Sequence, residues 1–350
     1  MTMNAMASAD AELHFPWPEP PPGGEVREVA PGLLWLRIPL PFRLDHVNVY
    51  LIADDTGWAI VDTGIADDAA RGTWDALLAG PLAGWTFTRL IVTHHDPDHI
   101  GLAGWLCGRL GIPLLTSQGS YFNAVNMTLD PGAFEAAFYQ DFYRRHGMAE
   151  EALPLVAEHR HEFCRAVAPL PPSYRRLHAG DELVIGTRRF EVLVGEGHAP
   201  EVVMLYCAAE ELLLASDQVI AKISPNISVW AVEPDGDPLG LYLSTLAALE
   251  RRVSPGALVL AGHQLPFHGL HQRCRELAAH HRIRCDLVAD ACRGHPKTVA
   301  ELVPVLFTRP LDRYEVCFAF SEALAHVNHM VGQGWMAWHD KGGERRLHPV

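Results

Sequence analysis

No two cysteines in the chain are spaced C-x-x-C. The seven that occur, at positions 107, 164, 207, 274, 285, 292 and 317, are odd in number and scattered. Neither a disulfide framework nor a cysteine zinc site is therefore expected, and a reducing cytoplasm fits this usage. Positive charge is also short. Against 42 Asp and Glu stand only 28 Lys and Arg, a formal net charge of −14, so the basic face needed for nonspecific attraction to nucleic acid or an anionic membrane is missing. No apolar run approaches the roughly twenty residues that span a bilayer. The opening stretch MTMNAMASADAELHFPWPEPPPGGE lacks a basic segment followed by an apolar one, so no export signal is read. Internal repeats are absent. These gaps leave a soluble cytoplasmic protein with a small-molecule substrate as the expectation, and neither nucleic acid nor membrane as partner.

What is present can build a large core, since 49% of the 350 residues are hydrophobic. Short β-rich runs at 34–38, 47–52, 58–61, 90–93, 190–194, 202–207, 212–215 and 258–261 are mostly bounded by Gly, Asp or Pro, as strands are. Helix-like segments such as 67–78 and 239–252 lie between them, so sheets covered by helices are expected. From about 120 to 168 the chain reads as a helical insertion, with Phe134, Phe138 and Phe142 four apart on one face. That stripe is either ordinary packing or a cap over a pocket. Beyond Pro296 two helices and a hairpin turning at Gly342 and Gly343 are expected. The division that follows is an arm over 1–30, flexible or draped by its Pro and Gly content, a main domain over 31–272, and a small helical, winged-helix-like domain over 273–350.

The densest chemistry lies in LIVTHHDPDHIG, residues 90–101, where His94, His95, Asp96, Asp98 and His99 crowd together after an apolar run. A strand ending near Thr93 sends alternate residues to one side, placing His94 with Asp96 and turning His95 away. Asp98 and His99 follow on the turn into the next helix. The converging imidazoles and carboxylates suit a divalent metal with nitrogen and oxygen ligands, with a chance polar patch as the bland alternative. VGEGHAPE then places His198 on a Gly-rich turn, LLLASDQV places Asp217 at a strand end, and LVLAGHQLPF places His263 at another. A capping or turn role is the alternative for any one of these.

In order, these stretches resemble the signature of the metallo-β-lactamase superfamily, T-H-x-H-x-D-H-x-G followed by distant His, Asp and His. The similarity runs from about 34 to 271 and includes VDTG at 61–64, where the family's aspartate, here Asp62, supports the site from behind the ligands. The resemblance implies an α/β fold, a four-layer αββα sandwich with two divalent metals at one edge of the sheets. Position by position it implies that His94, Asp96 and His198 hold the first metal, that Asp98, His99 and His263 hold the second, and that Asp217 bridges them. LDHVNVYLI, ISPNISVW and LPFHGLH look like segments of the glyoxalase II-like branch and of β-lactamase-like proteins with a C-terminal helical domain. His46, Asn48 and Asn226 in those segments are candidate pocket residues, with a structural hydrogen bond as the equal alternative.

The departure from the family is Asp96, which stands where relatives have their middle histidine. A carboxylate oxygen reaches about as far from Cβ as the nearer ring nitrogen of histidine, so Asp96 is expected to bind the same metal. It does so as an anion, which favours iron or manganese over the family's usual zinc and makes bound water less acidic. The competing reading turns Asp96 outward as a helix N-cap, with His95 or water in its place. The leading functional expectation is a binuclear hydrolase, in which hydroxide held by the metals attacks a thioester, lactone or ester carbonyl and Asp98 serves as ligand and proton acceptor. Flavodiiron proteins carry a carboxylate at this position, so a di-iron, oxygen-dependent oxidoreductase is the alternative, although no second, flavin-binding domain is present. A merely metal-binding member is the third reading. Residues 296–350 carry six Lys and Arg and six Asp and Glu, too balanced for DNA binding; this region is expected to cover the pocket or to mediate self-association as a homodimer.

Overall fold

In the computed structural model, which describes residues 13–129 and 137–350, two β-sheets lie face to face and helices cover the outer side of each. This is the expected αββα order. The first sheet runs β1 (Arg27–Ala30), β2 (Leu33–Pro39), β3 (His46–Asp54), β4 (Gly57–Val61), β5 (Phe87–Ile91), β6 (Leu114–Thr116) and β7 (Arg175–Arg176). Its pairs are antiparallel as far as β4 and parallel from β4 to β7. The second sheet is ordered β13 (Phe267–His268), β12 (Leu258–Ala261), β11 (Leu212–Ser216), β10 (Val202–Cys207), β9 (Arg188–Gly195) and β8 (Glu182–Ile185), with β11 and β12 parallel.

The strands read as continuous apolar runs because both faces of each sheet are covered. In the first sheet Leu33, Trp35, Tyr50 and Ile52 point between the sheets, while Leu34, Leu36, Val49 and Leu51 point at the outer helices. In the second, Val203 and Leu205 face inward and Met204 and Tyr206 outward. Each fully buried Leu or Ile contributes about 1.5–3 kcal/mol, and a slip of one residue would exchange the two faces. Against the first sheet pack α1 (Asp68–Ala79), α2 (Pro97–Ile100), α3 (Ala103–Leu110), α4 (Gln118–Leu129) and α6 (Pro154–Ala166). Asp67 caps α1 by accepting from the Ala70 N–H at 2.7 Å.

The insertion comprises α4, α5 (Ala137–Arg145) and α6. Phe134 lies outside the described residues. Phe142 is buried, but Phe138 is 60% exposed, so these two do not bury as one stripe: α5 buries Phe142 and Tyr143 and rests Tyr139 against the same cluster.

The outer side of the second sheet carries α7 (Pro238–Arg252), α8 (Leu270–Cys292), α9 (Val299–Leu306) and α10 (Arg313–Gly332), joined by the hairpin β14 (Met336–Lys341) and β15 (Glu344–Pro349) in one apolar cluster. The division drawn at 272/273 falls inside α8. Gly342 and Gly343, with φ of 62° and 91°, make the two-residue hairpin turn that only left-handed residues allow. The described part of the arm is draped: His14 exchanges backbone hydrogen bonds with His268, and 27–30 form the edge strand β1. No helix among the described residues is long and apolar enough to cross a membrane.

Candidate metal centre

The loops after β4, β5, β9, β11 and β12 converge on one point. β5 ends at Ile91, two residues before the strand end expected at Thr93. Thr93 leaves the ladder because its N–H donates to Asp62 Oδ1 at 2.8 Å and its carbonyl accepts from Val203 of the facing sheet at 2.8 Å. A turn, not a strand, therefore sets the directions that follow. His94 Nε2 lies 3.6 Å from Asp96 Oδ2, whereas His95 turns toward Phe163, with ring centroids 6.3 Å apart. Asp96 occupies the N-cap position of α2, yet its side chain makes no capping bond.

Seven imidazole and carboxylate groups meet here. His94, Asp96 and His198 form one triad and Asp98, His99 and His263 another. In the first, His198 Nε2 lies 3.5 Å from Asp96 Oδ2 and 3.3 Å from His94 Nε2. In the second, His263 Nε2 lies 3.2 Å from Asp98 Oδ2 and His99 Nε2 lies 3.7 Å from it. Asp217 faces both, its Oδ2 at 3.1 Å from His263 and 3.8 Å from His198, and its Oδ1 at 3.5 Å from His99.

Each imidazole is held from behind by its Nδ1. His99 meets Asp62 Oδ2 at 2.8 Å, His263 meets the His46 carbonyl at 2.7 Å, and His198 meets the Asn226 carbonyl at 2.9 Å. Carbonyls and carboxylates only accept, so these Nδ1 atoms carry a proton and each ring turns its Nε2 to the centre, where a lone pair becomes available once a metal displaces any second proton. His94 Nδ1 meets the hydroxyls of Thr93 at 3.0 Å and Ser216 at 3.3 Å. This backing is what metal-binding histidines require.

The charges press the same way. Burial works against ionising Asp96, but the His94 and His198 imidazoles outweigh it and hold the carboxyl well below its usual range. Its side chain is 37% exposed, so solvent screens part of that attraction. Burial likewise opposes ionisation of Asp98 and Asp217, and again the imidazoles win, His99 first for Asp98 and His263 first for Asp217. Against burial, Asp217 pushes His263 up to about 10 and, with Asp98 and Asp62, raises His99 well above the ordinary imidazole value. His94, buried and beside His99, is lowered. The carboxylates thus draw positive charge into a buried space, charge that divalent cations could supply where protons otherwise would.

Two further observations test whether metal fits. His99 Nε2 and Asp217 Oδ1 are buried without a hydrogen-bond partner, a condition that costs about 1–3 kcal/mol per group unless something binds them. Gly262 lies against the centre so closely that a Cβ there would collide with Asp217 Oδ1 and sit 2.8 Å from His99 Cε1. Donor type, bare lone pairs and cleared space all suit nitrogen and oxygen ligation of divalent metal.

The other candidates stand behind the ligands. Asp62, at a left-handed φ of 64°, also accepts from the Thr93 hydroxyl. His46 accepts from the Gln264 N–H through Nε2 at 2.9 Å. Asn48 is satisfied at both ends, accepting from Trp35 Nε1 at 2.8 Å and donating to the Ala261 carbonyl at 2.9 Å, so it ties β3 to the end of β12. Asn226 donates its amide to Glu322 Oε2 at 2.9 Å. Sequence reasoning missed Thr93, Ser216 and Glu322. The signal for the last was a carboxylate and an imidazole four apart in the apolar helix FSEALAHV. A cleft bounded by Phe138, Asp141, Arg145, His146, Asp235 and Arg345 lies elsewhere and includes none of the seven residues of the centre.

Comparison with known proteins shows what the chain as a whole is similar to. Residues 42–263 match the family described as the metallo-beta-lactamase superfamily, and 285–345 match the metallo-beta-lactamase-like C-terminal domain. A solved beta-lactamase domain protein from Burkholderia ambifaria is 38% identical, with a TM-score of 0.89 over 97% of this chain and 98% of that one. A metallo-beta-lactamase family protein from Thermus thermophilus is 31% identical, with a TM-score of 0.78 over 92% of this chain and 100% of that one. A probable metallo-hydrolase of Bacillus subtilis is 23% identical over 304 residues, 84% of this chain and 90% of its own.

Proposed function

The chain belongs to the metallo-β-lactamase superfamily, and from that membership we propose that it is a binuclear metal-dependent hydrolase acting on a small ester-type substrate, a thioester, lactone or ester. The observation that carries the reading is Asp217, whose two oxygens face the imidazoles of both triads. In this reading His94, Asp96 and His198 hold one metal, Asp98, His99 and His263 the other, and Asp217 both. Two divalent metals so held would make water acidic enough to attack near neutral pH and would polarise the scissile carbonyl. The chain's own residues do the rest. Asp62, Asn226 and the His46 carbonyl fix the rings, and the fully buried His94 and His99 keep bulk water from the floor of the site. Asp98 Oδ2, on a side chain 20% exposed, can take up a proton; its lowered pKa makes it a weak base, so ligation is its main role.

The printed name of the Bacillus subtilis relative, a probable metallo-hydrolase, supports hydrolysis. A small molecule is the proposed substrate, with no nucleic acid partner: in the C-terminal region Arg309 pairs with Glu315, Arg313 with Glu158, and Arg346 with Glu301 and Glu344, leaving little free positive charge for phosphates. One observation favours a second reading. With Asp96 in place the centre holds three carboxylates, which suits iron or manganese over zinc and admits a di-iron oxygen-dependent oxidoreductase. Elemental analysis of anaerobically purified protein, followed by panels of thioesters, lactones and esters with and without oxygen, decides. Two metals per chain and oxygen-independent hydrolysis are expected; oxygen uptake without hydrolysis favours the oxidoreductase, and absence of bound transition metal overturns both.

A further inference from the structure

The loop 217–237 between β11 and α7 starts at Asp217 and carries Asn226, so it reaches both triads. It is fastened from outside the catalytic sandwich. Asn226 Nδ2 donates to Glu322 Oε2 of α10 at 2.9 Å, and the Val229 N–H donates to the Ser321 carbonyl of α10 at 3.2 Å. From α8, Arg273 donates to the carbonyls of Ile220 at 2.7 Å and Ile223 at 2.9 Å. Glu322 in turn lies 3.2 Å from Arg284 of α8, with side chains only 10% and 11% exposed.

A third tether runs through two buried imidazoles. His326 Nδ1 faces the Glu322 carbonyl at 2.8 Å, His281 Nδ1 faces His326 Nε2 at 3.1 Å, and Ser224 Oγ faces His281 Nε2 at 3.3 Å. The carbonyl can only accept, so with both rings neutral His326 donates to Glu322 and His281 to His326, which leaves His281 Nε2 as an acceptor for the Ser224 hydroxyl, a donor that also faces the Pro225 carbonyl at 3.3 Å.

His198 follows Gly197, at a left-handed φ of 101°, and its Nδ1 is aimed by the Asn226 carbonyl. A ring used for ligation has to be held within about 10–20° of its productive direction. We propose that Glu322 is a positioning residue for the metal centre: through the Asn226 amide it fixes the loop whose carbonyl aims His198, so that the C-terminal helices tune the first metal site. This rests on the reading of His198 as a metal ligand. A buried carboxylate beside a buried guanidinium is a poor device for stability alone, since apolar residues of similar volume often do as well; its value here is the directed bond to Asn226.

The test uses the full chain and metal itself. Affinity for each of the two metals is measured by chelator competition, and the cobalt-substituted absorption spectrum is recorded, for wild type, Glu322→Gln, Glu322→Ala, Asn226→Ala and the Glu322→Ala/Asn226→Ala double variant. Loss of a residue that orients a ligand typically costs about 10–100-fold in metal affinity. That loss is expected in Glu322→Ala for one metal, with an altered cobalt spectrum. Glu322→Gln, whose amide oxygen still accepts from Asn226, is expected to restore wild-type binding. The double variant should be no worse than either single one. Wild-type affinity and spectrum in a folded Glu322→Ala overturn the proposal, as does a Glu322→Gln no better than Glu322→Ala. If Glu322→Ala does not fold, Asn226→Ala carries the test, and unchanged binding in it is equally fatal. A wild type that binds no metal overturns the functional reading, and this proposal with it.

Discussion

Asp62 Oδ2 lies 2.8 Å from His99 Nδ1, while the other oxygen of the same carboxylate accepts from the Thr93 N–H at 2.8 Å. One buried side chain thereby fixes the tautomer of a ring in the second triad and the start of the segment that carries His94 to His99. In Asp62→Asn one position must become an NH2 group. If it faces His99, two donors meet, the ring turns to its other tautomer, and Nε2 acquires a hydrogen where metal should bind. On the proposed ligand set, Asp62→Asn is expected to fold and to weaken binding of the metal assigned to His99 by about 10–100-fold. Chelator competition checks this, and unaltered affinity for both metals counts against the assignment.

Much of the site was legible because its residues recur at strand ends in order: His94 to His99 after β5, His198 after β9, Asp217 after β11, His263 after β12. The strands were legible as apolar runs. What could not be read was the backing of the rings by main-chain atoms, the carbonyls of His46 and Asn226, because a carbonyl carries no residue signature. Nor could the end of β5 be placed, since the bond that pulls Thr93 out of the ladder comes from Asp62, distant in sequence. The Phe138 and Phe142 spacing was real, but periodicity does not say where a helix leaves the core.

Gly262 gives a steric test. A methyl group added there has no room between Asp217 Oδ1 and His99 Cε1, and neither neighbour can give without losing its direction. Gly262→Ala is expected to lose both metals together, because Asp217 faces both triads, and to destabilise the metal-free protein by about 1–3 kcal/mol, as overpacking does. Metal analysis and urea denaturation measure the two effects. Retention of both metals would show that the centre tolerates displacement and is less rigid than its hydrogen bonds imply.

The buried imidazole pair in the C-terminal region sets a pH dependence. Burial, then the charge of its neighbours His326, His280 and Arg284, pushes His281 down to about 2; burial with Arg284 pushes His326 down to about 3. Unfolded histidine takes up its proton near about pH 6.5. Above that value both states are neutral and the pair's contribution is complete. Below it the unfolded state binds more protons, so stability is lost as pH falls toward the folded values, by about 1.4 kcal/mol per pH unit for each ring. For metal-free protein unfolded in urea, the wild type is expected to lose stability more steeply than His281→Gln between about pH 6 and 4, the difference approaching that slope for one ring. Parallel curves would mean that His281 is protonated in the folded protein and that its hydrogen bond to His326 is not the one assigned.

The final prediction concerns Asp96. Its Oδ2 lies 3.6 Å from His94 Nε2 and 3.5 Å from His198 Nε2, it makes no capping bond to α2, and the neighbouring His95 is partly buried and turned toward Phe163. If Asp96 is a ligand, Asp96→Ala should lose the first metal and leave the second bound. Asp96→His should keep both, with the balance moved toward zinc, because a neutral imidazole replaces a hard anion. The water at a less anionic centre becomes more acidic, so the alkaline shift imposed by the carboxylate should disappear and the hydrolytic pH optimum should fall. His95→Ala should leave metal content unchanged and act on stability alone, by the loss of a partly buried ring. Metal analysis on all three variants, with pH profiles for those that turn over substrate, separates the two arrangements. Should His95→Ala strip the site while Asp96→Ala keeps metal and activity, the ligand is His95 and the carboxylate only caps the helix.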